Sequence, residues 1–219
     1  FQNLLLEFGD DVKFDYDLKK RNWFNIGGKS KIFFKANNLK SLVNFVKKIG
    51  NKEKLFVIGA GSNILISDKT FDGVVIKLSK DFNNISLLGK DILIAGGSVL
   101  DKSLSEFAMK NNLSGFEFLS CIPGSVGGGI RMNAGCFGKE FKDILLSIQA
   151  IDKNGRVLTI PSKDIKFDYR KSNLSEDLIF LSASFKGIKS NSIKINDEMI
   201  KLKIEKEKNQ PTKIKTSGS

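Results

Sequence analysis

The sequence contains no histidine and only two cysteines and three prolines in 219 residues. Without histidine, a Ser-His-Asp triad, a Cys-His pair and a histidine-ligated metal are all excluded. Cys121 and Cys136 alone are too few for a disulfide framework or a zinc site, so we expect no metal and a pair of buried thiols. The longest run of apolar and small residues covers 92–100, whereas a membrane helix needs about 20 residues.

The sequence also lacks a basic region followed by a hydrophobic stretch near its start, which predicts a cytoplasmic protein with no membrane partner. The net charge is +12, and only four of the 36 basic residues are arginine. Such a balance suits an anionic partner, whether a nucleic acid, a phosphate-bearing cofactor or a nucleotide substrate. The lysines are scattered and form no basic stripe with interleaved aromatic residues, which disfavours nucleic acid.

Hydrophobic periodicity predicts a fold that mixes helices and strands. Strands are expected at 31–36, 54–58, 64–66, 74–78, 85–88, 92–95 and 179–185. Helices are expected at 39–49, 101–111 and 197–209, of which the second can be capped by Asp101 and the third by Asn196. The Asn154-Gly155 pair predicts a hairpin between strands at 145–151 and 156–160.

Two glycine-rich loops are candidate phosphate sites. The first, Gly59-Ala60-Gly61-Ser62-Asn63, follows a predicted strand, where glycines let backbone N–H groups approach phosphate oxygens. It is not a complete dinucleotide fingerprint, because the third glycine would fall at Ile64, and a purely structural turn is the alternative. The second loop, 123–129, offers a proline turn, a hydroxyl and consecutive glycines, and Asn133-Ala134-Gly135 follows it. Two such loops favour a large phosphate-bearing ligand such as a dinucleotide, although bulges and tight turns use the same residues.

Arg170 is a third candidate, because it lies among aromatic residues in the stretch Phe167-Asp168-Tyr169-Arg170. A planar guanidinium can hold a carboxylate or an enolate by two parallel hydrogen bonds. From the residues alone, a surface ion pair is the better explanation of this arginine.

Five motifs in this order resemble the UDP-N-acetylenolpyruvoylglucosamine reductase family. They are Asn22–Gly28, Gly59–Leu65, Ile122–Gly128, Met132–Gly135 and Tyr169–Ser172. The resemblance implies an α+β fold with a two-lobed FAD-binding domain of the vanillyl-alcohol-oxidase-like (PCMH) type. It assigns the lobes to 1–77 and 78–187, and it makes 188–219 a connecting helix and the start of an incomplete substrate-binding domain.

The resemblance also implies an activity. Enzymes of this family are FAD-dependent oxidoreductases of peptidoglycan precursor synthesis, which reduce the enolpyruvyl group of UDP-N-acetylglucosamine enolpyruvate to UDP-N-acetylmuramate with NADPH. The FAD is expected to be non-covalent, since no histidine is present to tether it. A flavin-dependent oxidase of the same superfamily and a non-enzymatic nucleic-acid binder stay open as alternatives, and the oligomeric state is left open.

Positions that match the family motifs carry its site residues. The implied FAD-binding residues are Gly59, Ala60, Gly61, Ser62, Asn63, Pro123, Gly124, Ser125, Gly127, Gly128, Asn133, Ala134 and Gly135. Arg170 is implied to polarise the enolpyruvyl carboxylate, and Ser219 to give a proton to the substrate. The family continues beyond Ser219 into a domain that holds a catalytic glutamate, so these 219 residues are expected to bind FAD without turning over substrate. Cys121 stands where the family usually has a small residue.

Overall fold

The computed structural model describes residues 2–210, in which five helices and fifteen strands alternate along the chain. The helices are α1 Gln2–Phe8, α2 Leu39–Ile49, α3 Asp101–Lys110, α4 Val126–Arg131 and α5 Ser192–Asn209. The longer strands are β1 Val12–Asp17, β2 Lys29–Ala36, β3 Leu55–Val57, β4 Phe71–Leu78, β5 Ile85–Leu88, β6 Ile92–Gly96, β10 Leu145–Ile151, β11 Val157–Pro161 and β14 Ile179–Lys186. The two-residue strands are β7 Leu113–Ser114, β8 Gly135–Cys136, β9 Lys139–Glu140, β12 Phe167–Asp168, β13 Lys171–Ser172 and β15 Ile188–Lys189.

The first sheet has the strand order β1-β2-β4-β3, in which β1 is antiparallel to β2 and the other pairs are parallel. Helix α2 connects β2 to β3 and buries its apolar face on this sheet, as its periodicity predicts. Asn38 caps the helix, since its side chain accepts a hydrogen bond of 2.8 Å from the Ser41 N–H. The Phe45 ring stacks on Phe34 with centroids 3.8 Å apart. The helix expected at 39–49 is confirmed.

The second sheet is antiparallel throughout, in the order β11-β10-β14-β6-β5. The hairpin expected from Asn154-Gly155 is confirmed, with Ile151 opposite Val157 and Gly155 at a φ of +77°. Helices α3 and α4 cover the core of this sheet. Ile151 and Ile179 reach from this sheet into the core of the first. The two sheets are therefore joined by packing, and the division into domains at residue 77 stays a prediction.

Three local expectations are wrong. Residues 64–66 form no strand, and Ile66 lies against Gly27, where a Cβ would be 2.6 Å from the Ile66 Cβ. Asp101 does not cap α3; its carboxyl is buried without a partner in residues 2–210, and burial raises its pKa well above the usual range. Helix α5 begins at Ser192, five residues earlier than expected, because Asn191 caps it by accepting from the Ile193 N–H at 2.8 Å.

Helix α5 packs beside α3 and the turn at 117–121, with Ile195, Met199 and Leu202 buried. The Ser105 hydroxyl of α3 lies 3.6 Å from the Met199 sulfur. Within residues 2–210, no helix is long and apolar enough to cross a membrane.

Replacing Phe45 tests the packing of α2 on the first sheet. Phe45→Ala is expected to lower the free energy of unfolding by about 3–5 kcal/mol, because the ring is fully buried. Leu65→Ala is the control, since that side chain is 75% exposed, and its effect should stay below about 0.5 kcal/mol. Urea unfolding followed by circular dichroism measures both. Similar losses in the two variants would contradict this packing.

Candidate functional site

The two glycine loops, 59–63 and 123–129, meet in space, although their nearest ends are 60 positions apart in the chain. The first follows β3 and the second leads into α4. A Cβ placed on Gly59 would lie 2.5 Å from the Ser125 Oγ, and one on Gly128 would lie 3.6 Å from the same atom. Gly59, Ser125 and Gly128 therefore surround one small region, and a side chain at position 59 would intrude on it.

The Ser125 hydroxyl is the unsatisfied group of this region. Its side chain is buried, and its Oγ has no hydrogen-bond partner among residues 2–210. Ser125 precedes α4, yet its hydroxyl does not cap that helix. A buried hydroxyl without a partner is costly, by about 1–3 kcal/mol, unless a ligand satisfies it. An acceptor such as a phosphate oxygen fits this position.

Some backbone N–H groups of the second loop are already engaged by the protein. The Val126 N–H donates to the Val99 carbonyl and the Gly127 N–H to the Gly97 carbonyl, each at 2.9 Å. A Cβ on Gly127 would lie 3.0 Å from the Gly97 oxygen, so this glycine is needed for contact between two parts of the chain. Its assigned contact with a ligand stays a prediction.

The first loop is held against the segment at 21–23. Gly61 has a φ of +75°, and a Cβ on it would lie 2.1 Å from the Arg21 carbonyl oxygen. The Gly61 carbonyl accepts a hydrogen bond of 3.0 Å from the Trp23 N–H. The first two family motifs therefore fit together through a backbone contact that only glycine allows.

Two cations that sequence reasoning missed lie beside the first loop. Lys77 of β4 donates to the Gly59 carbonyl, and burial, together with the charge of Arg21, lowers its pKa. The Arg21 guanidinium lies 5.3 Å from the ring centroids of Tyr16 and Phe33 and donates to the Tyr16 hydroxyl at 2.9 Å. Within residues 2–210, neither cation forms an ion pair with an acidic side chain. Lys77 interrupts the otherwise apolar run 74–78, and this feature of the sequence could have marked it as a candidate site residue.

Arg170 lies on the wall of a cleft of about 420 Å³. Its backbone has a φ of +56° in the two-residue turn that joins β12 to β13, beside Tyr169, whose side chain is largely exposed. Asn133 and Gly135 line the same cleft, so the structure brings these three predicted residues together. The acidic and basic side chains of the cleft include Glu140, Lys142 and Asp143.

The Asn133 side chain is engaged by its own protein. Its amide nitrogen donates to Glu140 at 3.0 Å and to the Asp168 carbonyl at 3.3 Å, and its amide oxygen accepts from the Lys142 N–H at 3.1 Å. The pKa of Glu140 is lowered mainly by a hydrogen bond from the Lys142 ammonium and less by the hydrogen bond from Asn133. Asn133 thereby ties the turn that carries Arg170 to the β8–β9 hairpin.

Arg131 supports the segment that follows the turn of Arg170, and it was not identified from the sequence. Its guanidinium donates to the carbonyls of Leu174, Ser175 and Leu178 at 2.7–3.1 Å, and it lies 4.3 Å from the centroid of the Phe180 ring. The Arg131 carbonyl accepts a hydrogen bond of 3.1 Å from the Ser172 hydroxyl. An arginine with all these partners has a structural role.

The remaining predicted residues divide by position. Ser62 is partly buried and Asn63 exposed in the first loop, Pro123 is exposed at the start of the second, and Ala134 is buried behind the cleft. A Cβ on Gly124 would lie 2.4 Å from the Asp101 carboxyl, so this glycine packs against α3. Ser219 lies outside the described residues, and its role stays a prediction.

Comparison with known proteins places this geometry in a family. Residues 30–161 match the family described as FAD binding domain. A UDP-N-acetylenolpyruvoylglucosamine reductase from Pelagibacter ubique is 62% identical over 213 residues, which make up 97% of this chain and 70% of that protein. The chain belongs to the UDP-N-acetylenolpyruvoylglucosamine reductase family. A reductase of the same name from Rickettsia typhi is 45% identical over 209 residues, 95% of this chain and 70% of that protein.

Solved structures agree with this membership of the reductase family. The UDP-N-acetylenolpyruvylglucosamine reductase of Thermus caldophilus has a TM-score of 0.81 at 26% identity, covering 94% of this chain and 72% of that one. The BBE-like 1 protein of Physcomitrella patens has a TM-score of 0.58 at 16% identity, covering 86% of this chain and 44% of that one, and it shows a shared fold alone. The predicted resemblance, the α+β FAD-binding fold and the assignment to FAD-dependent oxidoreductases are confirmed.

Replacing Gly61 tests the contact between the first loop and the segment at 21–23. Gly61→Ala should lose about 1–2 kcal/mol of unfolding free energy from its positive φ, and about 1–3 kcal/mol more from the clash with the Arg21 carbonyl. Gly89→Ala is a matched control, because Gly89 has a φ of +64° but open space around it. Urea midpoints measure both losses. Equal losses would show that the loop does not press on this segment.

Proposed function

We propose that this chain is the FAD-binding part of a reductase that converts UDP-N-acetylglucosamine enolpyruvate to UDP-N-acetylmuramate with NADPH. The observation that carries the proposal is the buried, unpartnered Ser125 hydroxyl at the meeting of the two glycine loops. Membership of the reductase family supports the choice of substrate. The UDP-sugar is thus the partner, and a reaction that consumes NADPH and a UDP-sugar belongs in the cytoplasm.

The two loops would hold the diphosphate of FAD. Ser125 Oγ can donate to a phosphate oxygen, which satisfies a group that the protein leaves unpaired. Lys77 holds the Gly59 carbonyl on one side of the loop. Because a trans peptide directs its C=O and N–H to opposite sides, the Ala60 N–H then points away from Lys77. The charges of Lys77 and Arg21 favour an anion nearby.

A diphosphate site at one end of α4 and the Arg170 cleft at the other require an extended ligand. Six helical residues span about 9 Å, and α4 covers Val126–Arg131 between Ser125 and Asn133. A dinucleotide such as FAD has the length to reach both ends, with Asn133, Ala134 and Gly135 beside its flavin. The residues present therefore fit this cofactor.

Bound FAD supplies the two-electron reduction, and the protein supplies the charges and the proton. Arg170 is assigned to hold the enolpyruvyl carboxylate, where a fixed cation stabilises the negative charge that develops during reduction. The links from Asn133 and Ser172 hold its turn in place, which is what a positioned cation requires. Ser219 is assigned to give a proton to the substrate. We assign the FAD as non-covalent, because the chain has no histidine to tether it.

A flavin-dependent oxidase is the second function that the fold allows. The similarity that bears on it, to the Physcomitrella patens protein, is at 16% identity and concerns the fold alone. No feature of residues 2–210 favours an oxidase or a nucleic-acid binder over the reductase.

Removing the Ser125 hydroxyl tests the diphosphate site. Ser125→Ala is expected to raise the Kd for FAD about 10- to 100-fold, because a hydrogen bond to a charged group is worth about 1.5–3 kcal/mol. The stability of the FAD-free chain should not fall, since the hydroxyl has no partner in residues 2–210. Flavin fluorescence titration and urea unfolding measure these two quantities, and Ser86→Ala on an exposed strand is the control. Unchanged affinity in Ser125→Ala would remove this serine from the site.

Replacing Arg170 tests the assignment of the substrate carboxylate. Arg170→Lys keeps the charge but loses the planar fork, so kcat for reduction of the enolpyruvyl substrate should fall about 100-fold. Reduction of FAD by NADPH should change much less, because it does not use this carboxylate contact. Arg156→Lys, on the exposed β10–β11 turn, is the control.

Stopped-flow absorbance of the two half-reactions separates these effects, in a form of the enzyme that turns over the UDP-sugar. A loss of the same size in both half-reactions would make Arg170 a structural residue.

A further inference from the structure

The two cysteines lie close together at the two ends of the stretch 122–135, which holds the second glycine loop and forms the second flavin segment. Cys121 ends the turn at 117–121, and Cys136 ends β8. Strand β8 packs on that turn, and each thiol shifts the pKa of the other. Cys136 Sγ also lies 3.3 Å from the Phe118 carbonyl oxygen, and Cys121 Sγ lies 3.7 Å from the Ser120 hydroxyl. Both thiols are free.

The surroundings of Cys121 are positively charged. It lines a cleft of about 220 Å³ whose ionisable side chains are Lys102, Lys203, Lys206 and Glu207. The Lys206 ammonium donates to the Cys121 carbonyl at 2.5 Å. Cys121 keeps 7% of its surface exposed beside this cleft.

The two thiols differ in acidity. The hydrogen bond from Cys136, followed by that from Ser120 and the charges of Lys206 and Lys203, lowers the pKa of Cys121 to about 6. The hydrogen bond to Cys121, together with burial, raises the pKa of Cys136 above its usual range. Cys121 is therefore the more acidic of the two thiols and the better nucleophile, while Cys136 holds its proton more tightly. The sequence predicts two buried thiols; Cys121 is buried, whereas Cys136 is partly exposed.

We propose that Cys121 and Cys136 are a redox pair that a hydroperoxide converts to an intramolecular disulfide. The Cys121 thiolate attacks one peroxide oxygen, the O–O bond breaks, and a sulfenic acid forms while hydroxide or alkoxide leaves. The Cys136 sulfur then loses its proton and attacks the Cys121 sulfur, the S–O bond breaks, and water leaves. The two thiols lose two electrons in total, and the hydroperoxide gains them.

The position of this pair links the chemistry to the site. A bond between residues 121 and 136 would close a loop that contains 123–128 and 133–135, the entire second flavin segment. Cys136 also lines the Arg170 cleft. Oxidation of the two thiols by a hydroperoxide is separate from the proposed reductase activity and needs neither FAD nor substrate.

The test is oxidation of the native, purified 219-residue chain with equimolar hydrogen peroxide. Remaining thiols are then blocked with N-ethylmaleimide in denaturant, and the intact mass is measured. The expected product is a monomer that has lost two hydrogens and takes up no maleimide. Recovery of both thiols after reduction with dithiothreitol should follow. Two maleimides on the peroxide-treated chain, or disulfides only between chains, would overturn the proposal.

Serine variants assign the roles of the two thiols. Cys136→Ser is expected to stop at the sulfenic acid of Cys121, which dimedone traps with an added mass on that residue. Cys121→Ser is the matched control, and its remaining thiol should react with peroxide at least about tenfold more slowly, because burial still raises the pKa of Cys136 and the lysines beside residue 121 do not activate it. Dimedone on Cys136 in place of Cys121, at equal or greater rate, would contradict the assignment. The wild-type result does not depend on how either variant folds.

Discussion

Close approach of the chain at glycines is the constraint on which the site depends. A Cβ would lie 2.1 Å from the Arg21 carbonyl at Gly61, 2.5 Å from the Ser125 hydroxyl at Gly59 and 3.0 Å from the Gly97 carbonyl at Gly127. The contact between Gly59 and Ser125 brings together a loop of the first sheet and the start of α4 on the second. Because the two sheets also share buried residues, a shift in either loop would be transmitted to the core.

Two polar groups beside these glycine contacts are poorly satisfied by the protein, and the chemistry of the site follows from them. Within residues 2–210, the buried Ser125 hydroxyl has no partner, and the ammonium of the half-buried Lys77 donates only to a carbonyl. Both features are unfavourable in an isolated protein and favourable beside a diphosphate. The proposed diphosphate site would therefore be arranged for an anion before one binds, which would reduce the reorganisation that binding requires.

The Arg170 end of the site is held together by hydrogen bonds, whereas the Ser125 end depends on glycine contacts. The Asn133 side chain donates to the Asp168 carbonyl before the turn of Arg170, and the Ser172 hydroxyl after it donates to the Arg131 carbonyl. A cation that stabilises developing charge must be held in place, and these links supply that restraint. The same few residues carry Cys136 and the strand β8, so the thiol pair and the arginine share one supporting network.

The sequence by itself determined the local elements and the family. The helix at 39–49, the hairpin at Asn154-Gly155 and the glycine loops follow from periodicity and turn chemistry, which act between near neighbours in the chain. It misplaced the start of α5, because Asn191 and Asn196 are both possible caps and the local pattern does not choose between them. It also misplaced a strand at 64–66, where the chain passes close to Gly27. Only the tertiary structure decided that Lys77 meets Gly59, that Asn133 is engaged within the protein, and that Cys121 contacts Cys136. These contacts join residues far apart in the chain, and their energies depend on burial and distance, which no local pattern of residues encodes.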